Sequence, residues 1–172
     1  MILSGNEIYK EIKTGRIKIE PFEAKQLNPN SYNLTLADEI WENQGKLDMK
    51  KSSYFEKKKI IKTGMMIYPN KLYLAKTIEY TETHGFIPCI EGRSSVGRLG
   101  INIHATAGFG ENGYCGNWTL EISCIEPVKI YPFVQICQIY YSSIFGELIE
   151  YTGKYQKIRE VQPSLLFTEL DK

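Results

Sequence analysis

A turn rich in arginine and serine lies near the middle of the chain. Residues 91–100 read EGRSSVGRLG, so two guanidinium groups and two hydroxyls stand between glycines. If Ser94 to Leu99 forms one helical turn, Ser94 and Arg98 share a face because they are four residues apart. Backbone amides at the start of that turn, the serine hydroxyls and Arg93 would then make a cradle for an anion. Turns of this composition also serve simply to cap a neighbouring element.

A single carboxylate interrupts a strongly alternating segment. In residues 117–124, NWTLEISC, the even positions are apolar and the odd positions are polar, which is typical of a strand with one buried face. Glu121 therefore projects away from the core, either into a cleft or into bulk solvent. The preceding residues 106–116, TAGFGENGYCG, allow a tight reversal and a close approach of backbone to a ligand.

The elements that position these groups are predicted to be strands, after one short helix. Ser4 and Glu7 have the spacing of a capping box, Ile8 and Ile12 follow at helical spacing, and Gly15 offers a stop. Beyond this point, 12 tyrosines, many β-branched residues and recurrent Gly or Pro favour short strands. We therefore expect an all-β sandwich or barrel.

Composition restricts the class of function. A length of 172 residues fits one domain, and 21 Lys and Arg against 20 Asp and Glu leave a net charge of +1. This balance argues against nucleic acid as the main partner, because proteins that follow a phosphate backbone carry a clear basic excess. No apolar stretch approaches the roughly 20 residues of a membrane span, and no secretory signal is visible. We expect a cytoplasmic protein that binds neither nucleic acid nor membranes.

Cysteine and lysine usage have simple structural interpretations. The cysteines at positions 89, 115, 124 and 137 contain no C-x-x-C pair, so neither a zinc ribbon nor a thioredoxin-type motif is supported. Buried free thiols are expected instead. The lysine-rich residues 46–62 are expected to form an exposed loop or an edge strand.

The order and spacing of these segments resemble the dCTP deaminases of the dUTPase-like superfamily. The similarity is carried by residues 91–100, 103–109 and 116–121, and it extends to the segments 27–34, 136–139, 153–156 and 163–164. The resemblance implies a distorted β-barrel of the dUTPase-like, β-clip type with a short N-terminal helix, built as a single domain of residues 1–172. It also implies a homotrimer with shared active sites, in which residues 151–172 close over the nucleotide.

The resemblance also implies a role for each matching residue. Glu121 corresponds to the general base, which takes a proton from water so that the water attacks C4 of cytosine. Ser94 and Arg98 correspond to catalytic residues that flank this water. The substrate-binding residues implied are Arg93, Ser95, Val96, Gly97 and Gln138 around the triphosphate, Thr106, Ala107, Glu111, Thr119 and Leu120 around the water, base and sugar, and Tyr151, Lys154, Tyr155 and Gln156 in the closing segment.

The activity that this resemblance implies is hydrolysis of dCTP to dUTP and ammonia without zinc, which supplies dUMP for thymidylate synthesis. Zinc deaminases use H-x-E and P-C-x-x-C motifs, whereas neither His84 nor His104 begins H-x-E, and Gly92 stands where Cys89 would need its partner. No metal-ligating residue is therefore predicted, and His104 is expected to be a hydrogen-bonded structural residue. Mg²⁺ would enter with the triphosphate, and dTTP is the implied feedback inhibitor.

Three departures from the family pattern leave alternatives open. Phe109 replaces an arginine of the strictly monofunctional deaminases, which favours a bifunctional enzyme that releases dUMP and pyrophosphate. Glu111 stands where the family usually has aspartate, which argues against triphosphate cleavage. Ile158 replaces a second glutamine of the closing segment. A catalytically weak nucleotide sensor of the same fold is therefore a further alternative, whereas Glu121 disfavours a plain dUTPase.

Overall fold

Within residues 1–104 and 106–170, which the computed structural model describes, the chain forms mainly strands. Ala105, which precedes the glycine-rich residues 106–116, and residues 171 and 172 of the predicted closing segment lie outside the described residues. The elements in chain order are α1 (Gly5–Thr14), β1 (Ile17–Glu20), a 3-10 turn (Ala24–Gln26), β2 (Tyr32–Asn43), β3 (Phe55–Lys59), β4 (Met65–Ile67), β5 (Tyr73–Thr83), β6 (Phe86–Gly92), α2 (Ser94–Gly97), β7 (Ile101–Ile103), β8 (Cys115–Cys124), β9 (Val128–Ile130), β10 (Gln135–Ser143) and α3 (Phe167–Leu170).

The predicted N-terminal helix is confirmed, together with its two ends. The Ser4 hydroxyl accepts a hydrogen bond from the Glu7 amide at 3.3 Å. Gly15 ends the helix in the left-handed region at φ 82°, where a glycine has no Cβ to clash. The Glu7 carboxylate does not reach back to complete the capping box, because it accepts from Lys10 Nζ at 2.9 Å instead.

The strands form one large sheet that nearly closes on itself. Its order is β6-β10-β2-β5-β8-β7, with β1 added to β5 and β3 added to β2, while β4 and β9 form a separate ribbon. The two end strands approach each other, since a Cβ at Gly92 of β6 would lie 3.9 Å from the side chain of Ile103 in β7. The expected all-β, barrel-like fold is confirmed.

Alternation along β8 places its residues as predicted from the sequence. Trp118, Leu120 and Ile122 are buried in the core of the barrel, whereas Thr119 and Glu121 remain partly exposed on the other face. The core contains large side chains from several strands, and the most deeply buried include Tyr32, Tyr73, Tyr141, Leu34, Leu36 and Ile40.

The residues after β10 return along β8. Ile158 forms a parallel bridge to Gly116, and its carbonyl accepts from the Asn117 amide at 2.8 Å. The Lys157 amide donates to the Cys115 carbonyl at 2.7 Å, and Val161 is buried. The C-terminal segment, residues 151–170, is thus attached to the strand that carries Glu121.

The structure also shows where the cysteines and the lysine-rich residues 46–62 lie. All four cysteines are free and buried, as predicted. Of the lysine-rich stretch, residues 55–59 form β3, which pairs with β2 at the margin of the sheet. Among the described residues, the helices are too short or too polar to cross a bilayer.

Candidate active site

A cavity of about 540 Å³ opens along the polar face of β8. Its walls are β8, the glycine-rich loop before it, the C-terminal segment and the loop that precedes β3. Sites for small molecules typically enclose roughly 300–1,000 Å³, so the cavity could hold a nucleotide. Six residues predicted from the sequence line it: Ala107, Glu111, Thr119, Glu121, Tyr151 and Tyr155.

Glu121 occupies one wall of this cavity and is held there by a histidine. One carboxylate oxygen, Oε2, lies 2.5 Å from His104 Nδ1. The Glu121 side chain is 40% exposed, whereas the His104 side chain is 4% exposed. The His104 amide also donates to the Glu121 carbonyl at 3.3 Å. His104 was expected to be a structural, hydrogen-bonded residue, and its hydrogen bond is to the proposed base itself.

The register of β7 on β8 explains why these two residues meet. Ile103 pairs with Ile122 in an antiparallel arrangement. His104, which follows Ile103, therefore faces Glu121, which precedes Ile122. The His104 backbone then turns away in the left-handed region at φ 50°. His104 Nε2 is buried and has no hydrogen-bond partner among the described residues. The imidazole therefore directs its only hydrogen bond within this region to the Glu121 carboxylate.

Aromatic rings form the deeper part of the cavity. The Tyr114 ring packs on Trp118 with centroids 4.7 Å apart, and it lies 6.4 Å from the Tyr151 ring. Burial raises the pKa of the Tyr114 hydroxyl, which donates to the Asn117 carbonyl at 2.9 Å. Flat apolar surfaces of this kind suit the faces of a heterocyclic base. Tyr114 and Trp118 were not predicted as site residues, because alternation assigns Trp118 to the core.

The arginine- and serine-rich turn forms a separate surface of the same chain. It is helical as predicted, with the Arg98 amide donating to the Ser94 carbonyl at 3.0 Å. Ser94, Ser95, Gly97 and Arg98 are exposed, and Val96 is partly buried against the core. None of these described residues lines the cavity.

Two of the predicted phosphate-binding residues, Arg93 and Gln138, connect this turn to β10. Arg93 donates to the Gln135 carbonyl at 2.9 Å. Gln138 donates to the Gly92 carbonyl at 3.4 Å and accepts from the Ser31 hydroxyl at 2.8 Å. The turn is thus fixed on β10, and its exposed side chains face outward from this chain.

Four further predicted substrate-binding residues do not line the cavity of this chain. The Leu120 side chain is fully buried in the core, so only its backbone could border a base. Thr106 is exposed in the loop and does not line the cavity. Lys154 Nζ lies 2.5 Å from the Glu169 carboxylate, within the C-terminal segment.

Gln156 is the fourth, and its amide is fully engaged within the chain. Its oxygen accepts from the Cys115 amide at 2.8 Å, and its nitrogen donates to the carbonyls of Gly113 and Tyr151 at 2.7 and 2.9 Å. These bonds attach the C-terminal segment to the start of β8. The resemblance alone could not show this, because a glutamine in a loop can face either a ligand or its own backbone.

The fold is shared with a solved enzyme structure. A crystal structure of 2'-deoxycytidine 5'-triphosphate deaminase from Agrobacterium tumefaciens superimposes with a TM-score of 0.65 at 19% identity, and covers 81% of this chain and 47% of that chain. This chain therefore spans about half the length of that protein.

Sequence comparison then identifies the family. The family model described as dCTP deaminase-like matches residues 2–144, and the chain belongs to this family. A protein of Hathewaya histolytica named "dCTP deaminase, dUMP-forming" is 55% identical over 99% of this chain and 100% of its own length. Proteins of Clostridium beijerinckii and Cytophaga hutchinsonii with the same name are 52% and 50% identical, each over the full length of both chains.

Proposed function

We propose that this protein converts dCTP to dUMP, ammonia and pyrophosphate in the cytoplasm. Full-length relatives at 50–55% identity carry the name of a dUMP-forming enzyme, which favours the bifunctional alternative over an enzyme that stops at dUTP. The observation that carries the proposal is the position of Glu121, which His104 holds at the wall of a nucleotide-sized cavity. A nucleotide with three charged phosphates does not cross membranes unaided, which suits an enzyme located where dCTP is made.

In the proposed first step, Glu121 acts as general base. The carboxylate takes a proton from water, and the resulting hydroxide forms a bond to C4 of cytosine. N3 takes up the proton of the new C4 hydroxyl, the amino group receives the proton held by Glu121 and leaves as ammonia when the C4–N bond breaks, and C4 becomes the carbonyl of uracil. General base catalysis of this kind supplies about 10²–10⁴-fold in rate.

In the proposed second step, a further water attacks the α-phosphorus, and pyrophosphate leaves. Glu111 is an exposed carboxylate that lines the same cavity, and we propose that it orients this water. Mg²⁺ brought by the triphosphate would neutralise phosphate charge, and the Glu111 carboxylate would suit contact with the water bound to the ion.

We further propose that the active protein is a homotrimer and that the turn of Arg93 to Arg98 reaches the cavity of a neighbouring subunit. The exposed serine hydroxyls and the Arg98 guanidinium would then bind the triphosphate and flank the attacking water. dTTP, which offers the same phosphates and no exocyclic amine, is proposed to compete with dCTP. Inhibition by dTTP that does not decline as dCTP is raised would contradict this.

The test of the function is product analysis with a matched pair of variants. Wild-type protein with dCTP and Mg²⁺ should release ammonia, dUMP and pyrophosphate, as separated by ion-exchange chromatography. Glu121→Gln should lower ammonia release by about 10²–10⁴-fold, because the amide cannot take the proton. Glu126→Gln, which alters an exposed glutamate just beyond the end of β8, is the control and should retain full activity.

The products distinguish the alternatives. Accumulation of dUTP would mean a deaminase only, and ammonia release unaffected by Glu121→Gln would remove Glu121 from its role. Nucleotide binding without any turnover would favour the sensor. Circular dichroism of both variants shows whether a loss of activity reflects unfolding.

A further inference from the structure

Three metal-ligating side chains converge outside the cavity. Glu82 of β5 is paired in register with Cys115, the first residue of β8. His84 lies two residues beyond Glu82, so the two side chains emerge on the same face. One donor atom from each of Glu82, His84 and Cys115 lies within 4.8 Å of the other two. None of these three described residues lines the cavity.

A fourth residue orients the imidazole of this cluster. The Glu150 carboxylate lies 3.3 Å from His84 Nδ1, while the other ring nitrogen, Nε2, faces Glu82 at 3.9 Å. Histidines that bind metals usually donate their second ring N–H to a carboxylate, which fixes the tautomer and the ring orientation. The described residues thus already contain this feature of a metal centre.

We propose that Glu82, His84 and Cys115 form a binding site for a divalent transition metal, with Zn²⁺ as the best-fitting ion. Zinc accepts this mixture of sulfur, nitrogen and oxygen, and tetrahedral coordination at its usual bond lengths places the donor atoms about 3.4–3.6 Å apart. The donors would close by roughly 1 Å around the ion. Cys115 is buried, and its thiol would release its proton to solvent on binding the ion. The side chains of Glu82 and His84 are 29% and 40% exposed and can rotate.

A bound cation would replace one existing ion pair of the cluster, that of Glu82 with Lys18. Lys18 Nζ lies 3.4 Å from the Glu82 carboxylate. A bound cation would take over the charge compensation of Glu82, and Lys18 would remain paired with Glu20 at 3.3 Å. A thiolate ligand favours zinc, cobalt or copper over Mg²⁺, which prefers oxygen atoms alone.

The site lies at the attachment of the C-terminal segment. The Cys115 backbone bonds to Gln156 and Lys157, and Glu150 directly precedes Tyr151. A metal held here would join β5 and the turn after it to the start of β8, and His84 would connect it through Glu150 to the residues that begin the C-terminal segment. It would stabilise this junction without contacting the nucleotide.

The experiment is a titration of the nucleotide-free protein with Co²⁺ as a spectroscopic probe. We expect one equivalent to produce the near-ultraviolet absorption of a cobalt–thiolate bond, which Zn²⁺ abolishes by competition and excess Mg²⁺ does not. Cys115→Ser should remove this absorption. Cys124→Ser is the matched control, because Cys124 is the buried residue at the opposite end of the same strand, and it should leave the absorption unchanged.

Two surface variants test the ligand His84 and the carboxylate of Glu150 that orients it, without disturbing the core. His84→Asn should abolish binding, and Glu150→Gln should weaken Co²⁺ affinity about 10–100-fold, as expected for a residue that orients a ligand. Absence of the thiolate absorption in the wild type, or its persistence in His84→Asn, would overturn the proposal. So would its loss in Cys124→Ser, since the ion would then bind elsewhere.

Discussion

Glu121 and His104 form the residue contact on which the proposed deamination depends. A hydrogen bond of 2.5 Å to one carboxylate oxygen limits rotation of the Glu121 side chain and leaves the second oxygen to accept a proton. The His104 side chain is 4% exposed and the Glu121 side chain 40%, so His104 is shielded from solvent while Glu121 is open to the cavity. A base held in this way keeps its orientation between substrates.

The role of Glu111 can be separated from that of Glu121 by substitution. Glu111→Gln should retain ammonia release but slow pyrophosphate release by about 10²-fold or more, because the amide orients water poorly and cannot accept its proton. Chromatography of the products should then show dUTP in place of dUMP. Glu111→Asp, which keeps the charge, is the control and should still form dUMP. A Glu111→Gln protein that yields dUMP at the wild-type rate would exclude Glu111 from the second step.

At the scale of elements, the hairpin of β2 and β3 is fastened by a buried carboxylate. Glu42 is 5% exposed, and Lys58 Nζ lies 2.5 Å from one of its oxygens while Lys71 Nζ contacts the other. Hydrogen bonds from Lys58 and Lys71 hold the pKa of Glu42 below its usual value of 4.5. The loop between these strands forms one wall of the cavity. The contacts of Glu42 with Lys58 and Lys71, here called the clamp, therefore also support the site.

This clamp predicts a dependence of stability on pH. Because the pKa of Glu42 is lower in the folded than in the unfolded protein, its stabilisation is present above pH 4.5 and is lost as the pH falls through the folded value. Glu42→Gln should therefore lower the free energy of unfolding by about 2 kcal/mol at pH 7. The difference from the wild type should shrink as the pH falls below 4.5, as measured by urea denaturation.

The control for this prediction is a neighbouring glutamate on β3. Glu56 also pairs with Lys58, at 3.0 Å, but its side chain is 51% exposed. Glu56→Gln should change the free energy of unfolding by less than about 1 kcal/mol, because exposed ion pairs are screened by water. Equal effects of the two variants at pH 7 would contradict the role assigned to burial.

Elements whose signals lie within a few consecutive residues could be predicted from the sequence, whereas contacts between distant segments could not. Ser4 and Gly15 define the first helix because capping is decided within one turn. Alternation placed Glu121 on the open face of β8, since period-2 geometry needs no partner strand. The Glu150 contact with His84 and the engagement of Gln156 depend on loop paths and strand order, which no local pattern encodes.

At the scale of the whole molecule, the cavity and the arginine- and serine-rich turn are two surfaces of one chain. The Ser94 hydroxyl and the Arg98 guanidinium make no hydrogen bond to the described part of the chain, and neither residue lines the cavity. Exposed cationic and hydroxyl groups without partners suit a head-to-tail interface, in which each subunit completes the next.

Mixed assemblies test this arrangement directly. Glu121→Gln and Arg98→Ala should each be inactive alone. Co-expression in equal amounts should restore about a quarter of the wild-type activity, because a quarter of the shared sites then receive both intact residues. Light scattering should show a mass three times the 19.8 kDa of the chain. An inactive mixture of the correct mass would mean that each site is completed within one subunit.

The attachment of the C-terminal segment to β8 has a consequence for turnover. Any route out of the cavity past residues 156–162 requires the bonds to Cys115, Asn117 and Thr119 to break, and these belong to the strand that carries Glu121. Release of a ligand along this route is therefore coupled to the strand that carries Glu121. A small molecule that binds beneath that segment and reinforces its bonds to β8 would block this route without resembling a nucleotide.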